Sequence, residues 1–441
     1  METIYPPLID TPCVPHDATV TRAEPRIVVR NRRRPSRASV RIAFYSHDTL
    51  GLGHTRRNLL IATALTRSGL QVDMLLITGT HAASRFSLPP GTDCLTLPSL
   101  SKDVDGGYTA RSLDMALDEL VGLRSQAIWA ALKGFKPDLL VVDNVARGVA
   151  GELDLSLRKL KKHDRAKCVL GLRDVLDAHD VVKAQWAARE TTRTITAYYD
   201  AVWIYGDPLL HVTLPEAEHD VAADRLEYLG YFDPFLRLAP DAKPSDEASA
   251  VLAWAGGRFV LCTVGGGQDG VDLARAFVRT RLAGRRGVLL TGPFMDPDAR
   301  RLLRAEAAER DDILVVDFLA EPLEVLPHAE RIISMGGYNS VLESLACERP
   351  LLVVPRVVPR QEQWIRAERL AQVGLADVLH PASLTPHALE AWLGRTLAPS
   401  QARRRLGFDA HTRLPEAIGK LIGRPLVPRR APTAEAGEGE A

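Results

Sequence analysis

The apolar positions change period repeatedly along this chain. RIAFYSH (41–47) is a short apolar run, residues 55–68 repeat apolar positions at helical spacing, and QVDMLLIT (71–78) is again a run. A helical pattern around 112–133 leads to DLLVVDN (138–144), and KCVLGLR (167–173) and AVWIYG (201–206) follow. Runs alternating with amphipathic helices predict βαβ units, hence a parallel sheet covered on both faces. TLPSLSKDVDGGYTAR (96–111) interrupts the pattern; it is polar, glycine-containing and predicted to be a functional loop.

After RLEYLGYFDP (225–234), the stretch LAPDAKPSDEAS (238–249) is rich in proline and charge, and the alternation then restarts. FVLCTVGGG (259–267), GVLLTG (287–292), ILVVDF (313–318), RIISM (331–335) and PLLVVP (350–355) read as strands, with helices at 271–282, 297–310, 361–373, 385–397 and 400–408. The expected fold is α/β, two Rossmann-like doubly wound domains with a cleft between them. Residues 40–235 form the first domain, 236–250 a linker and 251–425 the second, with disordered tails at 1–39 and 426–441.

A length of 441 residues suits two such cores. With 46% hydrophobic and 25% charged residues, and no apolar run near the ~18 residues that span a bilayer, the chain reads as soluble. Five scattered cysteines within mostly apolar runs read as reduced core thiols of a cytoplasmic protein. A net charge of +1 gives no global pointer to nucleic acid, and none is expected as a partner. The basic stretch RIVVRNRRRPSRASVR (26–41) reads first as a solvated tail and second as a tether to anionic lipid or RNA; it lacks the apolar segment of a signal peptide.

The chemistry concentrates where strands run into glycine turns. In FYSHDTLGLGHTRRN (44–58), Arg56 occupies the third glycine position of a dinucleotide fingerprint, and the second strand ends in Thr78-Gly79-Thr80 without an acid. NAD is therefore disfavoured. The loop instead carries His47, Asp48 and His54 past Gly51 and Gly53, with Arg56 and Arg57 just inside a helix. VGGGQDG (264–270) repeats the strand-glycine-helix arrangement with Gly265, Gly266 and Gly267, and SMGGYNSVLE (334–343) does so with Gly336 and Gly337. Glu343 then lies one helical turn past Asn339 and Ser340, roughly 5–6 Å along the axis from the helix start. That spacing suits a nucleoside diphosphate: bare backbone N–H groups on the phosphates and a carboxylate on the ribose. Gln361, Glu362 and Gln363 follow a loop stiffened by Pro355 and Pro359, and their amides suit sugar hydroxyls.

The Asp103/Asp105 and Asp296/Asp298 pairs stand beside glycine or proline and read as turns before metal ligands. Arg173 and Asp174 follow a strand end, at the cleft or as a helix cap. There is no P-loop, no zinc spacing and no GxSxG elbow, so neither metal nor covalent catalysis is expected, and no cofactor.

The segment SMGGYNSVLESLACERPLLVVPRVVPRQEQWIRAERLAQVGLA (334–376) resembles the donor-binding segment of MurG-like glycosyltransferases, glycosyltransferase family 28, which have the GT-B fold. SHDTLGLGHTRRNLLIATAL (46–65) is similar to the acceptor-side glycine loop of a subgroup of predicted glycosyltransferases. The resemblance implies an inverting, metal-independent hexosyltransferase using a UDP-linked sugar, with Gly337 and Ser340 at the diphosphate, Glu343 at the ribose and Gln363 at the sugar. His54, with Asp48 in reserve, would be the base that deprotonates the acceptor. The acceptor would be lipid-linked or a polysaccharide of envelope or exopolysaccharide synthesis, and the enzyme cytoplasmic or peripheral at the cytoplasmic membrane. The family often has Arg-Ser where this chain has Met335-Gly336, so a cation for the diphosphate must come from elsewhere. A nucleotide-sugar 2-epimerase and a non-catalytic nucleotide-sugar-binding protein are the alternative readings.

Overall fold

The computed structural model describes residues 39–47, 53–80, 87–102, 107–164, 166–239 and 243–428. Asp48, Gly51, the Asp103/Asp105 pair and the bulk of both tails lie outside the described residues.

The first sheet comprises β1 (Val40–Ser46), β2 (Val72–Thr78), β3 (Thr92–Thr96), β6 (Leu139–Asp143), β7 (Lys167–Arg173), β8 (Ala201–Tyr205) and β9 (Leu226–Tyr228). It is parallel throughout, in the order β3-β2-β1-β6-β7-β8-β9. The polar loop at 96–111 contributes an antiparallel pair, β4 (Leu100–Lys102) with β5 (Tyr108–Ala110). The second sheet, β10 (Phe259–Thr263), β11 (Arg286–Leu290), β12 (Ile313–Val316), β13 (Arg331–Ser334), β14 (Leu351–Val353) and β15 (Asp377–Val378), is also parallel, in the order β12-β11-β10-β13-β14-β15.

Both faces of the first sheet are covered, which is why its strands read as unbroken apolar runs. Leu139 and Val141 of β6 join the core with Leu59, Ala62 and Leu65 of the helix Gly53–Arg67. Leu140 and Val142 point the other way, among Ile128, Leu157 and Leu160. Each of the buried leucine, isoleucine and valine side chains contributes about 1.5–3 kcal/mol.

The two-sheet expectation holds, and the chain's end departs from it. The helix Ala410–Ile422 does not stay with the second sheet; it packs on the helix Gly53–Arg67 of the first. Tyr231 N donates to Gly407 O at 2.7 Å, and Gln71 N donates to Val427 O at 2.8 Å, so residues 426–428 are placed against the first half rather than forming part of a free tail. Apolar periodicity reports that a face is covered; it does not report by which sheet.

In each sheet the order reverses beside one central pair, β1 with β6 and β10 with β13. Crevices open at the carboxyl ends of such pairs. Four described segments meet there: His47 after β1 with the helix start at Gly53, Asp143 closing β6, VGGG after β10 and the SMGG turn after β13.

Candidate functional site

His54 and Arg57 are three apart in the first turn of the helix Gly53–Arg67, so they share a face. Because β6 is the neighbour of β1, that face meets Asp143. His54 Nδ1 donates to Asp143 Oδ2 at 2.6 Å, while Arg57 Nη2 donates to Asp143 Oδ1. Arg57 is 3% exposed and Asp143 1%. Burial alone would push the Asp143 carboxyl up; Arg57 and His54 outweigh it and hold it well below the usual carboxylate range. With Nδ1–H committed to this anion, neutral His54 presents the lone pair of Nε2. Beside it, at 4.8 Å between ring centroids, lies His47, whose imidazole is held well below its ordinary pKa by burial and by the His54 ring.

Two cavities meet at this histidine. The larger, about 700 Å³, is lined by His47, Tyr108, residues 144–151, Trp186, Arg189, Arg356 and Arg360, among others. The smaller, about 300 Å³, lies between the sheets and is lined by Gly265, Gly266, Gly337, Asn339, Ser340 and Glu343 together with Phe294, Phe318 and Leu319. Among the described residues, His54 and Arg173 line both.

On the smaller cavity's far wall, Gly337 caps the helix Tyr338–Ala346 with φ −64° and ψ 140°, and a Cβ added there would meet nothing within 4 Å. Its own N–H donates to Met335 O at 2.9 Å, and the open space beside its Cα lies at a helix N-terminus, the environment that favours an anion. Glu343 faces the same cavity and accepts from Arg237 Nη2 at 2.7 Å; Arg56 Nη1 stands 4.0 Å from the same oxygen. Arg237 is also bound through two hydrogen bonds to Glu321.

Contacts between the halves tie the site together. Asn339 Nδ2 donates to Gly53 O at 3.1 Å, and Tyr338 Oη donates to Tyr205 O at 2.8 Å. Asp174 and Arg366, each 1% exposed, form an ion pair at 2.7 Å, and Arg366 Nη1 also donates to Gly336 O.

The sequence-derived residues therefore divide. His54, Gly265, Gly266, Gly337, Asn339, Ser340 and Glu343 converge on the cavities. Gly53 and Arg56, expected on the acceptor side, line the smaller cavity instead, because the helix they begin crosses toward the second sheet. Gly336, Gly267 and Gln363 line neither cavity. A Cβ on Gly336 would stand 2.9 Å from Gln363 Cβ, and one on Gly267 would stand 2.3 Å from Thr291 O, so both glycines allow close packing. Gln363 Oε1 accepts from Arg356 N at 3.0 Å and so holds the loop before its helix. Asp296, read from the sequence as part of a turn, accepts from Asp298 N and Ala299 N and caps the helix Pro297–Ala308.

Asp143 and Arg237 were missed by sequence reasoning. DLLVVDN did carry a signal, an acid closing a buried strand. Nothing local marks Arg237, whose partner Glu343 is 106 positions away.

Residues 283–408 match the glycosyltransferase family 28 C-terminal domain. The chain is 32% identical over 97 residues to the demethyllactenocin mycarosyltransferase of Streptomyces fradiae, which covers 22% of this chain and 20% of that protein. It is 26% identical over 191 residues to the UDP-N-acetylglucosamine–N-acetylmuramyl-(pentapeptide) pyrophosphoryl-undecaprenol N-acetylglucosamine transferase of Geobacillus kaustophilus, covering 42% of this chain and 50% of that one. The chain thus spans half or less of the length of these curated relatives. The solved structure of Acinetobacter baumannii MurG aligns with a TM-score of 0.54 at 15% identity, covering 86% of this chain and 99% of that one.

Proposed function

We propose that this chain, a GT-B fold with a MurG-like, family 28 C-terminal half, is an inverting glycosyltransferase that moves a hexosyl group from a UDP-linked donor to an acceptor hydroxyl. The observation that carries this reading is the place of the His54–Asp143 pair at the junction of two cavities, the smaller of which is also lined by the Gly337 helix start. A base and a leaving-group site on opposite sides of one carbon are what inversion requires.

The donor occupies the smaller cavity. Its diphosphate meets backbone N–H groups around Gly337 and Ser340 and the turn at Gly265 and Gly266, Glu343 accepts from the ribose hydroxyls, and Phe294 and Phe318, each 37% exposed, offer apolar faces to the base. The acceptor occupies the larger cavity with its hydroxyl at His54 Nε2, and Asp143 stabilises the imidazolium that forms. Helix dipole and arginines carry the diphosphate charge, so neither a metal nor a cofactor is required. A lipid-linked or polysaccharide acceptor completes the proposal. The Geobacillus relative is named for an undecaprenol-linked acceptor. No helix among the described residues is long and apolar enough to cross a membrane, and the proposed location is cytoplasmic or peripheral at the cytoplasmic membrane.

The test is a screen of nucleotide sugars against acceptors that reads nucleoside diphosphate release, with product configuration determined by NMR. Acceptor-dependent release, inverted product and indifference to EDTA are expected. Release without acceptor would replace the transferase by an epimerase-type reaction, a retained configuration would overturn the base role, and EDTA inhibition reversed by manganese would overturn metal independence.

A further inference from the structure

We infer that Arg173, at the end of β7 in the acceptor-side sheet, is the cation that contacts the donor's diphosphate and takes up the charge of the leaving group. This rests on the donor reading above and names a residue which that reading leaves unassigned.

The smaller cavity is lined by three arginines, Arg56, Arg57 and Arg173. Arg57 is committed to Asp143, and Arg56 lies against Glu343 and donates to Ala320 O. Arg173 has no hydrogen bond or ion pair among the described residues, and its Nε is enclosed without a partner. Burial, with Arg57 and Arg366 nearby, brings its pKa down to about 10, so it remains charged at neutral pH in surroundings that disfavour the charge. Asp143 and Glu362 act in the other sense, favouring the charge, but they are bound to Arg57 and Arg356, so the enclosed guanidinium is a cost to the empty protein unless an anion arrives. It lines both cavities together with His54, so an anion there would lie close to the proton acceptor. Met335 and Gly336 supply no charge at the second sheet's turn.

In the transfer step, the acceptor hydroxyl gives its proton to His54 Nε2 while its oxygen forms the bond to the anomeric carbon. The bond from that carbon to the diphosphate oxygen breaks, and its electron pair stays on the phosphate as one further negative charge. Arg173 is placed to meet that charge with a planar, fork-shaped donor set. Since it comes from the first sheet, the leaving-group clamp is complete only when both halves close on the donor.

The experiment compares wild type with Arg173→Gln and Arg173→Lys. The probes are UDP and uridine by calorimetry, with dTDP, GDP and ADP and their nucleosides alongside, and the melting temperature of the unliganded proteins is recorded. Arg173→Gln is expected to bind the diphosphate about 10- to 100-fold more weakly, to leave nucleoside binding unchanged, and to melt no lower than wild type. Arg173→Lys recovers part of the affinity. Undiminished diphosphate affinity in Arg173→Gln would overturn the assignment, as would a lower melting temperature with parallel loss of nucleoside binding, which marks a structural role. Failure of wild type to bind any of the diphosphates would instead bring down the donor reading, and this inference with it.

Discussion

Gly337→Val separates a ligand-binding turn from a merely structural one, because the protein itself leaves room for the new side chain. A Cβ at Gly337 meets nothing within 4 Å, and φ −64°, ψ 140° is extended backbone open to valine. Folding should therefore be unharmed, or helped by up to ~1 kcal/mol through the stiffer unfolded chain. The added methyls instead enter a cavity of about 300 Å³ on the side where the diphosphate would approach the backbone. Losing one charge-assisted hydrogen bond costs ~1.5–3 kcal/mol, so UDP affinity should fall ~10- to 100-fold or more. Gly336→Ala is the control, since its Cβ would stand 2.9 Å from Gln363 Cβ and 3.1 Å from Pro355 Cβ. It should lower stability by ~1–3 kcal/mol through overpacking. Calorimetry with UDP, paired with thermal melts, reads both effects. A Gly337→Val protein that melts normally and binds UDP with undiminished affinity refutes the phosphate assignment.

Three further outcomes follow from the same geometry. His54→Ala should lower kcat ~10²–10⁴-fold at unchanged UDP affinity, and near-normal turnover would move the base elsewhere, with Asp48 next to be mutated. Glu343→Ala leaves Arg237 paired with Glu321, so its cost falls on the ligand; UDP binding should weaken ~10- to 100-fold, and unchanged affinity would remove the ribose role. His47 is kept neutral in the fold while the unfolded chain protonates it below pH ~6.5. Its contribution is therefore present above that pH and lost on acidification at up to ~1.4 kcal/mol per unit. Denaturant titrations of His47→Gln between about pH 6.5 and 5 should show a shallower decline, and an identical slope would contradict the burial argument.

Much of this was legible in the one-dimensional pattern. Apolar runs alternating with helical spacing specify two parallel sheets, because a strand buried on both faces must be apolar throughout and its crossover helix apolar on one side. The i, i+3 and i, i+4 spacings that put Asn339 and Ser340 on the side of Glu343, and His54 beside Arg57, are properties of any α-helix. Those residues accordingly reached the cavities together.

What the chain order could not show was which strand ends become neighbours. Asp143 meets His54 across 89 positions only because β6 pairs with β1, and Arg237 meets Glu343 only because the segment Pro234–Arg237 packs against both the helix Gly53–Arg67 and the helix Tyr338–Ala346. Gly336 and Gly337 are equal in sequence, yet one lies against Gln363 and the other faces open space. Gln363 and Arg56 were assigned by position along the chain, and packing turned the first into a loop contact and the second toward Glu343. Local periodicity sets which side of an element is apolar, and the register between distant elements then decides which polar groups face one another; that decision belongs to the tertiary fold alone.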